Sequence, residues 1–213
     1  MNQNEEFILM ILNCKKYRHK ALDQKNSWLN SLQKICPIQY YHIIGDPAIN
    51  VEYVFDDEEK ILYVNAKDDY ISLPQKVIIA QKALYERFHF NYLFKTDDDQ
   101  TLVDITIIPK LIHMLKSSSK IKTHYGGQFV NIKHDMYSTY STYHPELSKN
   151  LMKKCIYATG RFYFLSAEAV ADLLTKQSYF LQEQIEDYSV GYYLSPKYKV
   201  NAFNFNSSNY FYG

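Results

Sequence analysis

Hydrophobic positions in this chain switch repeatedly between two periods. Phe7-Ile8-Leu9-Met10-Ile11-Leu12 is apolar without a break, the pattern of a central strand in a mostly parallel sheet covered on both faces. Cys14 to His19 is a basic loop, after which Leu22, Trp28, Leu29 and Leu32 recur at helical spacing within Ala21 to Leu32. Tyr40 to Ile44 reads as a second strand closed by the turn signal Gly45-Asp46-Pro47. Val51 to Phe55 predicts a short third strand, and Ile61 to Val64 another beyond the acidic turn Asp56 to Glu59. From Leu73 the period changes. Pro74 suits a first helical turn, and Val77, Ile78, Ala80, Ala83, Leu84 and Phe88 form a broad apolar face.

Tyr92-Leu93-Phe94-Lys95-Thr96 then reads as a strand that ends abruptly in Asp97-Asp98-Asp99. Thr101 to Asp104 predicts a loop, Ile107 to Leu115 a helix running into the polar stretch Lys116 to Lys120, and Tyr125 to Ile132 a strand with a glycine-softened start. Residues 133–154 are polar, aromatic and irregular. Tyr157 to Leu165 alternates as a strand, Ser166 is placed to cap a helix through Leu174, and the acidic Glu183 to Asp187 leads into Tyr188 to Leu194. The segment Asn201 to Gly213 is aromatic and Asn-rich. Strands alternating with helices, with no repeat or linker, predict one α/β domain over residues 1–213. Acids at the carboxyl end of a strand that follows a strand and a helix lie where an open α/β sheet has its ligand crevice.

Three adjacent carboxylates repel one another by about 1 kcal/mol per pair even in bulk water. A folded chain keeps them together where something positive offsets them, and a hard divalent cation such as magnesium or manganese takes one or two carboxylates plus water and substrate phosphates. The plainer reading of such a triplet is a solvated turn between a strand and the next element.

Composition narrows the function class. With 46% hydrophobic and 22% charged residues in 213, and a net charge of +1, the chain has the profile of a soluble globular protein and lacks the charge excess of a nucleic-acid-binding or membrane-surface protein. No apolar run approaches the roughly 20 residues of a membrane span. Phe7 to Leu12 follows acidic residues, so it is no signal peptide. Cys14, Cys36 and Cys155 have neither disulfide nor zinc spacing and read as small buried groups in a reducing compartment, the cytoplasm for the chain as written.

Motifs in order sharpen the picture. Phe7 to Leu12 with Arg18 to Trp28, then Asp68-Asp69-Tyr70-Ile71-Ser72-Leu73-Pro74-Gln75-Lys76, then Tyr92 to Asp99, then the glycine segment Tyr157-Ala158-Thr159-Gly160 ending Tyr163-Phe164-Leu165-Ser166, then Glu186-Asp187 with Val190-Gly191 form a series. It resembles the β-1,3-glycosyltransferase family that contains the β-1,3-galactosyl- and N-acetylglucosaminyltransferases and the Fringe enzymes.

The resemblance implies a GT-A fold with a Rossmann-like, mostly parallel central sheet flanked by helices. It also implies a UDP-sugar donor, a glycan or glycoconjugate acceptor, and Mn2+ or another divalent cation such as Mg2+. By the family pattern Asp99 is the direct metal ligand. Asp97 and Asp98 contact the donor and the metal's waters, Lys76 and Gly160 lie on the donor side, and Asp187 is the general base of an inverting transfer. Of the neighbours Glu186 and Asp187, only one is expected to face the acceptor.

Two departures from the pattern are visible. Arg161 and Phe162 stand where relatives carry further glycines, which predicts a reshaped sugar pocket. No histidine follows His144, whereas relatives commonly supply a metal ligand near the carboxyl end. Asn204 or Asn206 is a weak substitute, the alternative being a metal held through Asp99, water and phosphate alone, and His113, His124, His134 and His144 read as surface or loop histidines. Tyr137, Tyr140, Tyr143 and the terminal aromatics are candidate stacking surfaces for an acceptor. Relatives usually carry an amino-terminal Golgi anchor, so a Golgi-type lumen is the expected compartment if the chain is a trimmed domain. A nucleotide- or carbohydrate-binding module that kept the fold and lost turnover is the rival reading.

Overall fold

The computed structural model describes residues 3–117 and 121–213. The Ser118–Lys120 part of the predicted polar stretch lies outside the described residues. Eight strands form the main sheet: β1 (Phe7–Leu12), β2 (Gln39–Gly45), β3 (Tyr53–Asp56), β4 (Ile61–Val64), β5 (Tyr92–Asp97), β6 (Tyr125–Ile132), β7 (Cys155–Ser166) and β8 (Phe203–Asn204). Across the sheet they run β8-β6-β7-β5-β1-β2-β4-β3. The centre, β5-β1-β2-β4, is parallel throughout. The long β7 is antiparallel to both β5 and β6, and β3 closes the other edge antiparallel to β4.

The unbroken apolar run of β1 is explained by what lies on each side of it. Ile8, Met10 and Leu12 face one core with Val77, Ile78, Ala80 and Leu84, while Phe7, Leu9 and Ile11 face a second with Trp28, Leu32, Leu111 and Phe211. Helices α1 (Arg18–Gln24) and α2 (Asn30–Ile35) are joined through a widened π turn at Lys25–Leu29 and cover the second core with α4 (Ile107–Ser117). Helix α3 (Leu73–Arg87), which opens on Pro74, covers the first core with α5 (Ala167–Leu174) and α6 (Glu186–Tyr193). Ser166 caps α5 as predicted, its Oγ accepting from the Ala169 N–H at 3.2 Å. Among the described residues no helix is long and apolar enough to cross a membrane.

Three predicted segments differ. Thr101 to Asp104 is not only loop, because Thr101–Leu102 pairs antiparallel with Phe211–Tyr212. The segment 133–154 is largely irregular but holds a small antiparallel pair, Met136–Tyr137 with Leu151–Met152. Most of the terminal aromatics do not form an open stacking surface: Phe205, Tyr210 and Phe211 pack around Phe162 with ring centroids 5.7, 5.4 and 4.9 Å away, while Tyr212 is exposed.

Candidate active site

The parallel strands β1 and β5 end side by side, with Leu12 opposite Asp97, and the chain beyond β5 turns sharply through the acids. Two devices hold that turn. Gln24, 4% exposed, donates from Nε2 to the carbonyls of Asp97 at 3.0 Å and Gln100 at 2.8 Å. The Asp98 N–H donates to the Leu12 carbonyl at 2.9 Å. A lone glutamine in an amphipathic helix carries no sequence signal, so this clamp was not foreseen.

A cavity of about 780 Å3 opens over the turn, and Lys76, Asp97, Asp98, Asp99, Gly160 and Asp187 all line it. Its volume lies in the ordinary range for a ligand site. Eight acids line it against four lysines. That imbalance is partly settled internally. Asp98 Oδ1 lies 3.3 Å from Lys20 Nζ, and Asp97 Oδ1 lies 2.7 Å from Lys95 Nζ. Asp99 is exposed, and among the described residues its carboxylate accepts a hydrogen bond only from Gln100 Nε2, at 2.9 Å.

Lys95 is the hub. It points from β5 into the protein, 2% exposed, and its ammonium also donates to the Gly160 carbonyl at 2.5 Å and lies 3.6 Å from Glu186 Oε2. Burial pushes its pKa down, but Asp97, Glu186 and Asp187 together outweigh burial and hold it above the ordinary lysine value. Glu186, 6% exposed, accepts from the Tyr163 hydroxyl at 2.6 Å. Asp187 accepts from the Gly160 N–H at 3.0 Å through Oδ2 and from its own helix at Tyr188 N–H, 2.8 Å, through Oδ1. Burial and then the Glu186 charge push Asp187 up to about 7. Burial raises Asp97 to about 6 despite Lys95, with Glu186 and Asp99 adding to the rise, and burial raises Asp98 despite Lys20.

Glu186 and Asp187 both border the cavity, but their side chains diverge. Their divergence on α6 sends Glu186 inward to Lys95 and Tyr163 and leaves Asp187 facing the open space. Gly160 sits where the pairing of β7 with β6 slips between Ala158 and Tyr163, and a Cβ there would stand 3.3 Å from Lys95 Nζ and 3.7 Å from Asp187 Oδ2. Its small size makes room for the ion cluster itself. Lys76, 2% exposed, spends its ammonium on the Asn13 carbonyl and on Asp68 Oδ1 at 2.8 Å. Asp68 in turn binds the backbone N–H groups of Gly45 and Lys15, so these two residues shape the cavity wall where it meets β1 and β2.

Other expectations are corrected. Arg161 and Phe162 do not line the cavity: Phe162 is fully buried in the second core, and Arg161 donates to Ser208 Oγ at 2.9 Å. Asn204 Oδ1 accepts from Phe129 N–H and Asn206 Oδ1 from Ser208 N–H, which commits both to backbone and leaves neither in the cavity lining. His144 is not an ordinary loop histidine, since it lines the cavity stacked on Tyr70. Of the tyrosines singled out, Tyr140 lines the cavity while Tyr137 and Tyr143 are exposed elsewhere. Cys36 and Cys155 are free thiols that burial pushes up to about 11, which disfavours the thiolate at neutral pH.

Among the described residues no three His, Cys, Asp or Glu side chains converge as a ready metal set. The donor chemistry present, an exposed Asp99 carboxylate beside Asp97 and Asp98 in an acid-rich cavity, fits a hard cation held by one or two carboxylates with its other positions left to phosphate and water. It does not fit a cage made by protein alone.

Helix α6 is seated on β7 through Gly191, where a Cβ would collide with the Tyr157 backbone and Cβ and the Ile156 carbonyl. Gly191→Ala is expected to cost about 1–3 kcal/mol of stability, because backbone cannot give way as a side-chain tip can. A urea midpoint equal to wild type would show that the helix is not so tightly seated.

The profile of the family described as Galactosyltransferase matches residues 19–205. No curated protein sequence matches the chain. Among solved structures, a glycosyltransferase involved in the glycosylation of the major capsid of PBCV-1 is similar at a TM-score of 0.56 and 12% identity, covering 94% of this chain and 81% of its own. The galactosyltransferase LgtC, solved with donor and acceptor sugar analogues, is similar at a TM-score of 0.50 and 10% identity, covering 94% of this chain and 73% of its own. These likenesses show the GT-A fold. With the family profile spanning all but the ends of the sequence, the chain belongs to the galactosyltransferase family and is a glycosyltransferase.

Proposed function

We propose that this chain, acting as a single domain, is a metal-dependent inverting glycosyltransferase that moves a hexose or N-acetylhexosamine from a UDP-sugar to a sugar hydroxyl, forming a β-1,3 linkage. The observation that carries the reading is one cavity lined at once by Asp97, Asp98 and Asp99 and by a half-buried Asp187 whose carboxyl is raised to about 7. Asp187 accepts the proton of the acceptor hydroxyl as that oxygen attacks the anomeric carbon. The bond from that carbon to the diphosphate oxygen breaks on the opposite face, and its electron pair leaves with UDP. The Gly160 N–H holds Asp187 Oδ2 in place. Lys95 and Tyr163 occupy Glu186, so the two adjacent acids take different roles. Asp99 and Asp97 would hold the divalent cation, whose contribution when bound is to stabilise charge on the departing diphosphate.

A base must be ionised to act, so the rate is expected to fall about tenfold per pH unit below about 7 and to level off above it. A flat profile between pH 5.5 and 8 would remove Asp187 from the role. The reading as a whole is tested by incubating the protein with manganese and a panel of UDP-sugars while following UDP release, with and without glycoside acceptors. Turnover of at least one donor is expected. Metal-dependent UDP binding with no turnover of any donor would make the chain a binding module.

A further inference from the structure

The cavity also holds aromatic rings in its lining. Tyr70, from the loop before α3, and His144, from the irregular segment between β6 and β7, both line it with ring centroids 3.9 Å apart and planes 11° from parallel. Glu146 Oε1 lies 3.5 Å from His144 Nδ1, and Tyr140 joins the same lining with its hydroxyl 3.5 Å from that of Tyr157. Tyr70 lines the same cavity as Asp187, and after burial the Asp187 charge is the next cause that raises its hydroxyl. Neither ring is sealed into a core. Tyr70 is 39% exposed and the His144 side chain 35%.

A ring pair of this kind, in a cavity otherwise lined mainly by charge, suits a ligand with one apolar face and several hydroxyls. We propose that Tyr70 and His144 form the acceptor platform, on which a pyranose lies with its C–H face against the stack and a ring hydroxyl directed at Asp187. The inference rests on the glycosyl-transfer reading above and assigns two residues, Tyr70 and His144, to its acceptor side.

The test is saturation-transfer NMR on the full chain with three probes, the methyl β-glycosides of galactose, N-acetylglucosamine and N-acetylgalactosamine. UDP binding with manganese is measured on the same samples. At least one glycoside is expected to bind wild type, with saturation strongest on the protons of one ring face. Tyr70→Leu and His144→Ala should each weaken that binding about tenfold, and His144→Phe, which restores a ring, should recover it. UDP affinity in the variants reports that they are folded. Absence of binding by all three glycosides, or equal binding by wild type and both truncated variants, overturns the platform. A wild-type protein that binds these glycosides through the two rings but binds no UDP would leave the platform standing and take down the donor assignment.

Discussion

Replacing Asp187 by asparagine is expected to lower kcat by about 10²–10⁴-fold, the usual worth of a positioned general base, with UDP affinity unchanged. Asparagine has the same shape and can still accept from the Gly160 N–H through its one amide oxygen, but its NH2 then replaces the oxygen that accepts from the Tyr188 N–H, so the substitution removes proton affinity and one local hydrogen bond. Stability should move the other way. The Asp187 carboxyl is raised from its ordinary value of 3.8 to about 7, so keeping it ionised in the folded state opposes folding. Above about pH 7 Asp187→Asn removes that penalty in full, and the gain disappears as pH falls toward the ordinary carboxyl value. Lost turnover with equal or higher stability at pH 8, read from UDP release and a urea melt on one preparation, separates a base from a structural residue. A kcat within threefold of wild type would move the base elsewhere.

Lys95→Met is expected to have the largest effect on the fold. Its ammonium is the buried cation shared by Asp97 and Glu186, with the Gly160 carbonyl as a third partner. Removing one member of a buried ion cluster typically costs about 3–5 kcal/mol, because the remaining charges stay desolvated. For a chain of this size that corresponds to a Tm lower by roughly 6–20 °C. The acids have one escape, which is to take up protons. Asp97 and Asp187 already titrate near 6 and 7, so the loss should be smaller at pH 5.5 than at pH 8. A loss below about 1 kcal/mol at pH 8 would show that Lys95 is not the counter-ion on which the cluster depends.

Much of this architecture is legible in the sequence where burial dictates pattern. β1 is readable because both its faces are covered, β6 spans the predicted Tyr125–Ile132, and the acids fall at a strand end because the apolar run stops there. What was not legible is direction. Phe162 and Arg161 follow a glycine in the sequence, yet the register slip in β7 turns them away from the cavity. Glu186 and Asp187 look interchangeable until the helix start sends one to Tyr163 and the other to open space. Lys76 fits a donor-side role by motif, while its ammonium is taken by Asp68 and a backbone carbonyl. Gln24 and the pairing of Thr101–Leu102 with Phe211–Tyr212 left no trace, since a lone amide and a two-residue strand have no period.

That last pairing bears on the order in which the molecule assembles. Leu102 lies opposite Phe211, Trp28 packs against Phe211 with ring centroids 5.7 Å apart, and Gly213 lies against the Asp99 carbonyl. The parallel centre of the sheet needs only residues up to Asp97, whereas the acidic turn is braced by a segment from the far end of the sequence. Closing so long a loop costs entropy before any contact repays it, and such non-local pairing forms slowly. The turn that carries the three aspartates is therefore expected to be among the later parts of the fold to take its final form.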